Sequence, residues 1–205
     1  MQRTAMKTTS KFIAIAMLLS ATSLAQAATE TAVFAGGCFW GVDAVFKHVK
    51  GVESVSSGYA GGKTDNPSYT TVSGGVTGHA ESVLVKFDPE IVSYKTLLDV
   101  FFKVAHNPTE LNRQGPDTGT QYRSAIFYQG DAQKKIVDEE IAALTKAHVF
   151  AKPIVTEVAP LSRFYQAEAY HQNYLASHLS QPYIVYNDLP KIDALQKQFP
   201  ALYVK

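Results

Sequence analysis

Cysteine is almost missing from this chain: its 205 residues include one, Cys38. A lone thiol excludes an internal disulfide, and neither Cys-x-x-Cys nor His-Glu-x-x-His occurs, so the usual frameworks for a zinc site are absent. Charge of one sign is lacking as well. Lysine and arginine number 19 against 18 acids, and no basic block stands out to form an electrostatic footprint for nucleic acid. There is no internal repeat and no low-complexity tract.

A long apolar run is found only at the N-terminus. Phe12 to Ala25 is apolar but broken by Ser20, Thr22 and Ser23, short of the roughly 20 consecutive apolar residues a membrane-spanning helix needs. Arg3, Lys7 and Lys11 come before it, and it ends in Ala25-Gln26-Ala27, the small-x-small pattern cut by a signal peptidase. Residues 1–27 are therefore expected to be a signal peptide, with export to the periplasm. No Cys follows the run to accept a lipid. Residues 28–205 then suit one domain large enough to bury a core, and no linker argues for two. An exported protein normally pairs its thiols, so Cys38 is inert, intermolecular or reactive, according to where it sits.

The β-prone run Thr31 to Ala35 ends at Gly36-Gly37, after which Phe39, Val42, Phe46 and Val49 have the spacing of a helix with one buried stripe. Gly51 is a stop, and a second strand begins over 52–56. Gly58 to Gly78, dense in Gly, Ser, Thr and Tyr, reads as a long loop of the functional kind. Alternation over 79–87 puts Glu81 on one face with Val83, Val85 and Phe87. Ser93 caps a helix expected to run through Ala105, and a second loop over 106–120 leads to a strand over 121–128. A helix over 131–149, a strand over 154–158 and a helix over 162–176 complete an alternation that argues for an α/β sandwich.

Cys38 falls where the first strand turns into the first helix, and the free N–H groups and positive dipole end there favour a thiolate. The competing reading is a buried structural Cys behind a tight turn. Glu81, if its face is the apolar one, has its charged form disfavoured by burial and can hold a proton near neutral pH. Otherwise it reaches solvent at the strand start or pairs with an arginine. Tyr59, Tyr69 and Tyr122 offer hydroxyls from the two loops, although with 11 tyrosines any single one fits packing equally well. His79 with Glu81, and Glu168 with His171, have spacings that could bind zinc, but the pairs lie far apart and no motif frames them. A Cys/His acyl-transfer site draws on the same inventory, and no local signature ties a His to Cys38.

Gly37-Cys38-Phe39-Trp40-Gly41 resembles the nucleophile motif of the A-type peptide methionine sulfoxide reductases. The likeness continues through Gly58-Tyr59-Ala60-Gly61-Gly62, Asn66-Pro67-Ser68-Tyr69, Gly78-His79-Ala80-Glu81 and the stretch Gly115 to Ser124 containing Asp117-Thr118-Gly119-Thr120-Gln121-Tyr122-Arg123. It spans roughly residues 31 to 190. The resemblance implies a two-layer α/β sandwich around a ferredoxin-like core, with no metal and no cofactor. It implies that Cys38 attacks the sulfoxide sulfur and that Glu81 protonates the departing oxygen. Phe39 and Trp40 would hold the S-methyl group, Tyr69 and Tyr122 would hydrogen-bond the sulfoxide oxygen, and Asp117 would orient substrate and site. The implied reaction reduces the S epimer of free or protein-bound methionine sulfoxide and leaves Cys38 as a sulfenic acid.

One departure from many relatives concerns the C-terminus: residues 183–205 contain no resolving cysteine. An external thiol must then reduce the sulfenic acid, either a small molecule or a thioredoxin-like protein, for an enzyme expected to be a monomer. Two rival functions fit less well. A one-cysteine thiol peroxidase usually has Pro and Thr before its Cys, where this chain has glycines. A peptide-binding module gives no reason for a lone exported thiol at a helix start.

Overall fold

The run Thr31 to Ala35 is a strand because both of its faces are covered. In a computed structural model that describes residues 28–205, β1 (Glu30–Gly36) is buried from Ala32 to its end. Phe34 stacks on Phe46 and Phe101 with ring centroids 5.1 and 4.9 Å away. Val33 and Ala35 point the other way, into a smaller cluster with Ala60, Ala80 and Phe127. The expected signal peptide, residues 1–27, lies outside the described residues.

After β1 the chain forms α1 (Phe39–Lys47), β2 (Val52–Ala60), the short α2 (Tyr69–Ser73), β3 (Ala80–Phe87) and α3 (Tyr94–Val100). A small hairpin, β4 (Arg113–Gln114) and β5 (Asp117–Thr118), precedes β6 (Ser124–Tyr128) and α4 (Gly130–Lys146). Then come β7 (Glu157–Pro160), β8 (Phe164–Gln166), α5 (Tyr174–Ser177) and α6 (Leu189–Gln198). The main sheet has the order β7-β6-β1-β3-β2-β8. Its inner four strands are antiparallel to one another, while β7 joins β6 in parallel, with α1 connecting β1 to β2 and α3 lying between β3 and β6. That split βαβ pattern is the ferredoxin-like core expected above. The helices and the large core cluster around Phe34, Val83, Val85 and Phe87 make the second layer. Among the described residues no helix is long and apolar enough to cross a membrane.

Several boundaries differ from the periodicity. The helix expected over 162–176 is instead β8, a 3-10 turn at Ala169–His171 and the four-residue α5. Long-range bonds win there: β8 pairs with β2, and the Gln172 amide bonds Ser57 N–H, Ser57 C=O and Ala167 C=O at 3.0 Å each. Asn173, at φ 56°, then breaks any helical run. β2 extends to Ala60, so Gly58 and Tyr59 are strand residues, held between β3 and β8. The helix capped by Ser93 changes to a π-helix over Phe101–Ala105. The strand expected over 154–158 starts at Glu157, and a 3-10 turn at Thr120–Tyr122 shortens the one expected over 121–128.

His106, at the end of the π-helix, joins that element to the sheet. Its Nδ1 lies 2.9 Å from the Phe101 carbonyl oxygen, to which it can only donate, so Nε2 accepts from the Ser124 hydroxyl at 2.6 Å. Burial pushes its pKa down to about 3, so the ring is neutral at any ordinary pH. His106→Ala is expected to cost about 2–4 kcal/mol, since it leaves a cavity and an unpaired carbonyl. Urea unfolding measures this, and a change under 1 kcal/mol would show that the link is dispensable.

Candidate active site

The sheet register brings Cys38 and Glu81 together. β1 and β3 are antiparallel with Phe34 opposite Val83, and carrying that register two residues further sets Glu81 level with Gly36. The chain leaves β1 there through Gly37, whose φ of 88° is a left-handed value and where a β-carbon would lie 2.6 Å from Gln114. Only glycine fits that turn. Cys38 follows as the N-cap of α1.

Two of the free N–H groups of α1 are used at once. Phe39 N–H donates to Glu81 Oε2 at 3.1 Å, and Trp40 N–H bonds the Cys38 sulfur. Glu81 is 1% exposed. Burial outweighs the Phe39 hydrogen bond and raises its pKa to about 8, so at neutral pH it carries a proton. Its other oxygen makes no hydrogen bond with the described residues and is free to hold that proton. The parity reading of the strand thus holds, and the solvent-facing alternative does not.

The thiolate expectation is corrected. Burial, then the Glu81 and Asp188 carboxylates, raise the Cys38 thiol well above its usual range, and the Trp40 N–H and the Lys191 ammonium only partly oppose them. The helix start does donate to the sulfur, but desolvation of an anion is the larger effect. At rest Cys38 is a thiol.

The sulfur opens into a cleft of about 70 Å³, lined also by Gln114 and Asp117 from the hairpin and by Tyr183, Asn187 and Lys191 from the C-terminal segment. Larger grooves lie elsewhere, around Phe150 and Lys152, and contain none of these groups. Asp117 accepts a hydrogen bond from the Tyr183 hydroxyl. Burial first, and then the Glu81 and Cys38 charges nearby, raise the hydroxyl pKa values of Tyr69, to about 12, and of Tyr122, so both remain donors.

Phe39 and Trp40 take different places. Phe39 is buried against Tyr59 and His171, with centroids 6.0 and 4.9 Å away. Trp40 stacks on Tyr174 at 3.8 Å and meets Tyr183 edge-on at 6.0 Å. Its indole N–H donates to His171 Nδ1 at 3.1 Å, and His171 also packs 4.4 Å from Tyr69. Glu168 accepts from the Tyr59 hydroxyl and from Tyr69 N–H, both at 2.8 Å. Tyr59 is therefore committed to Glu168 and offers no hydroxyl to the cleft. The groups weighed for a zinc site are engaged in other bonds: Gly62 N–H donates to His79 Nδ1 at 3.0 Å, Glu168 accepts from Tyr59 and Tyr69, and His171 accepts from Trp40. Tyr174, Tyr183 and Lys191 are site residues that the sequence reading missed, and His171 was weighed there only as half of a zinc pair, because each arrives through packing rather than through a local motif.

A neutral carboxylic acid near a lone sulfur that opens into a small cleft, with the Tyr183 hydroxyl in its lining and those of Tyr69 and Tyr122 close by, suits proton-assisted attack on a small polar sulfur or carbonyl centre. The family model described as peptide methionine sulfoxide reductase matches residues 30–202. Peptide methionine sulfoxide reductase MsrA 2 of Mesorhizobium japonicum is 57% identical over 175 residues, covering 85% of this chain and 90% of that protein. The solved structure of methionine sulfoxide reductase A of Corynebacterium diphtheriae is similar, with a TM-score of 0.66 and 38% identity over 76% of this chain and 77% of that one. Reduced Mxr1 from Saccharomyces cerevisiae gives a TM-score of 0.68 at 35% identity, covering 75% and 87%. With these residues, this fold and these likenesses, the chain belongs to the peptide methionine sulfoxide reductase family.

Proposed function

We propose that this protein reduces the S epimer of methionine sulfoxide, free or in proteins, and so repairs oxidised proteins. The observation that carries this reading is Glu81, buried and bonded to the N–H of Phe39 next to Cys38, where burial favours its protonated form. Sulfoxide oxygen leaves poorly as an anion, so a buried acid within reach of the nucleophile meets the central demand of the reaction. Tyr69 and Tyr122 donate hydrogen bonds to the oxygen, Trp40 and Phe39 give the S-methyl group an apolar wall, and Asp117, held by Tyr183, orients the substrate. As Glu81 passes its proton to the oxygen, the Cys38 sulfur bonds to the substrate sulfur and its own proton moves to the Glu81 carboxylate. The hydroxyl then passes from the substrate sulfur to the Cys38 sulfur: the substrate's sulfur–oxygen bond and the transient sulfur–sulfur bond break, a sulfur–oxygen bond forms on Cys38, and methionine leaves with Cys38 as a sulfenic acid and Glu81 reprotonated by the thiol's proton. Cys38 is oxidised by two electrons and the sulfoxide reduced by two.

With no second cysteine in the sequence, an external thiol condenses with the sulfenic acid, releasing water, and a second thiol then frees Cys38. Either a small thiol or a thioredoxin-like protein meets that need. The basic, apolar and small-x-small segments of residues 1–27 support export to the periplasm, with residues 28–205 as the mature domain. Intact-mass measurement of the purified mature enzyme tests these points together. Without added thiol, one equivalent of methionine should form from the S epimer, none from the R epimer, while Cys38 gains one oxygen atom. Repeated turnover without a reductant would refute the cycle, and a retained leader would refute the export reading.

A further inference from the structure

Gly41, three residues beyond Cys38 in the first turn of α1, has no room for a side chain. A β-carbon there would lie 2.1 Å from Asp188 Oδ1 and 2.8 Å from Lys191 Nζ. The C-terminal segment thus lays an ion pair on the start of the helix that carries the nucleophile. Asp188 is fully buried; its Oδ1 accepts from Lys191 Nζ at 3.1 Å, and its Oδ2 has no partner among the described residues. Lys191 keeps 22% of its side chain exposed and lines the cleft with Cys38. The ion pair therefore lies against the helix start, with Lys191 on the wall of the cleft into which the sulfur opens. Buried ion pairs seldom add net stability, because desolvation offsets their attraction, so packing alone does not account for the placement.

We propose that Asp188 and Lys191 set the reactivity of Cys38: Lys191 favours negative charge on the sulfur as it attacks, and Asp188 fixes the ammonium and restrains that effect. The proposal rests on Cys38 being the nucleophile. Glu81 from β3, Tyr69 from α2, Asp117 from β5, Tyr122 from the 3-10 turn, and Tyr183 and Asp188 from the C-terminal segment also face the sulfur or its cleft. All are acidic or neutral. His106, which Lys191 also faces, is held neutral. Among the described groups around Cys38, Lys191 is thus the one cation that joins the Trp40 N–H in opposing the burial and the carboxylates. Its effect and that of Asp188 on the sulfur have opposite signs.

Opposite signs separate tuning from mere support. Alkylation of Cys38 by iodoacetamide, followed by mass from pH 6 to 10 on the full mature protein, reads thiolate formation directly. Asp188→Asn, isosteric with the native residue, should shift the profile to lower pH and speed alkylation at pH 8 by roughly three- to tenfold. A lone Asp188 would take up a proton, so Lys191→Met is placed in the Asp188→Asn background, where it should slow alkylation again by a similar factor. Lys191→Arg in that background should keep the fast profile. If the ion pair only anchors the C-terminal segment, both removals loosen the packing and shift the profile the same way. That result, or profiles that overlay the wild type, overturns the proposal. Alkylation needs no sulfoxide, so failure of the reductase reading, seen as turnover by Cys38→Ser, is distinguishable from failure here.

Discussion

Cys38→Ser is expected to lose all sulfoxide reduction, and Glu81→Gln to lower kcat by roughly 10²- to 10⁴-fold with a small change in KM. Serine keeps the cap position, but its oxygen cannot form the sulfenic acid on which the cycle depends. Glutamine isolates the proton. Its amide oxygen can still accept from Phe39 N–H, the 3.1 Å bond that fixes the native carboxyl, so the start of α1 and the binding cleft stay in place. What is removed is donation to an oxygen whose basicity rises only as the sulfur–oxygen bond breaks, an interaction made in the transition state and not in the ground state. The expected loss corresponds to about 3–5 kcal/mol of transition-state stabilisation. Single-turnover kinetics with the S epimer separate this step from reductant recycling. Full activity in the serine variant, or a glutamine variant within threefold of wild type, would show that the chemistry lies with other groups.

The parts of this site that could be read in the sequence are those with a local cause. A strand ending in two glycines before a helical stripe fixed Cys38 at a helix start, and strict alternation from Glu81 to Phe87 put the acid on the core face; both arrangements are present. The wall formed by His171, Tyr183, Asp188 and Lys191 was not legible, because its causes are contacts between residues far apart in the sequence. Glu168 reaches Tyr59 and Tyr69, Gln172 reaches Ser57, and these bonds replace the helix that residues 162–176 suggest by composition. The ionisation of Cys38 went wrong for a related reason. The dipole of α1 is a property of a few consecutive residues, whereas the desolvation that outweighs it depends on everything packed around the sulfur.

The same burial that keeps Glu81 protonated should make the folded state sensitive to alkaline pH. Its pKa rises from 4.5 to about 8 in the folded protein. The folded state therefore binds this proton more tightly than the unfolded chain does, and the stability so gained is complete below about pH 4.5 and lost as pH rises through about 8. The total is about 3–5 kcal/mol for a carboxyl this buried. Other groups with raised values, Asp43 at about 6 among them, add their own slopes, so the contribution of Glu81 is read as a difference between two proteins. Cys38→Ser is the proper background, since it removes a thiol that titrates with Glu81 as a coupled pair. Cys38→Ser/Glu81→Gln has no proton to lose, so against Cys38→Ser alone it should gain relative stability between pH 5 and pH 9, on the order of 10 °C in Tm. The direction follows from the sign of the shift and does not depend on its size. Parallel melting curves for the two proteins across that range would mean that Glu81 is already ionised in the fold, and with that the proton assigned to it in catalysis would have no source.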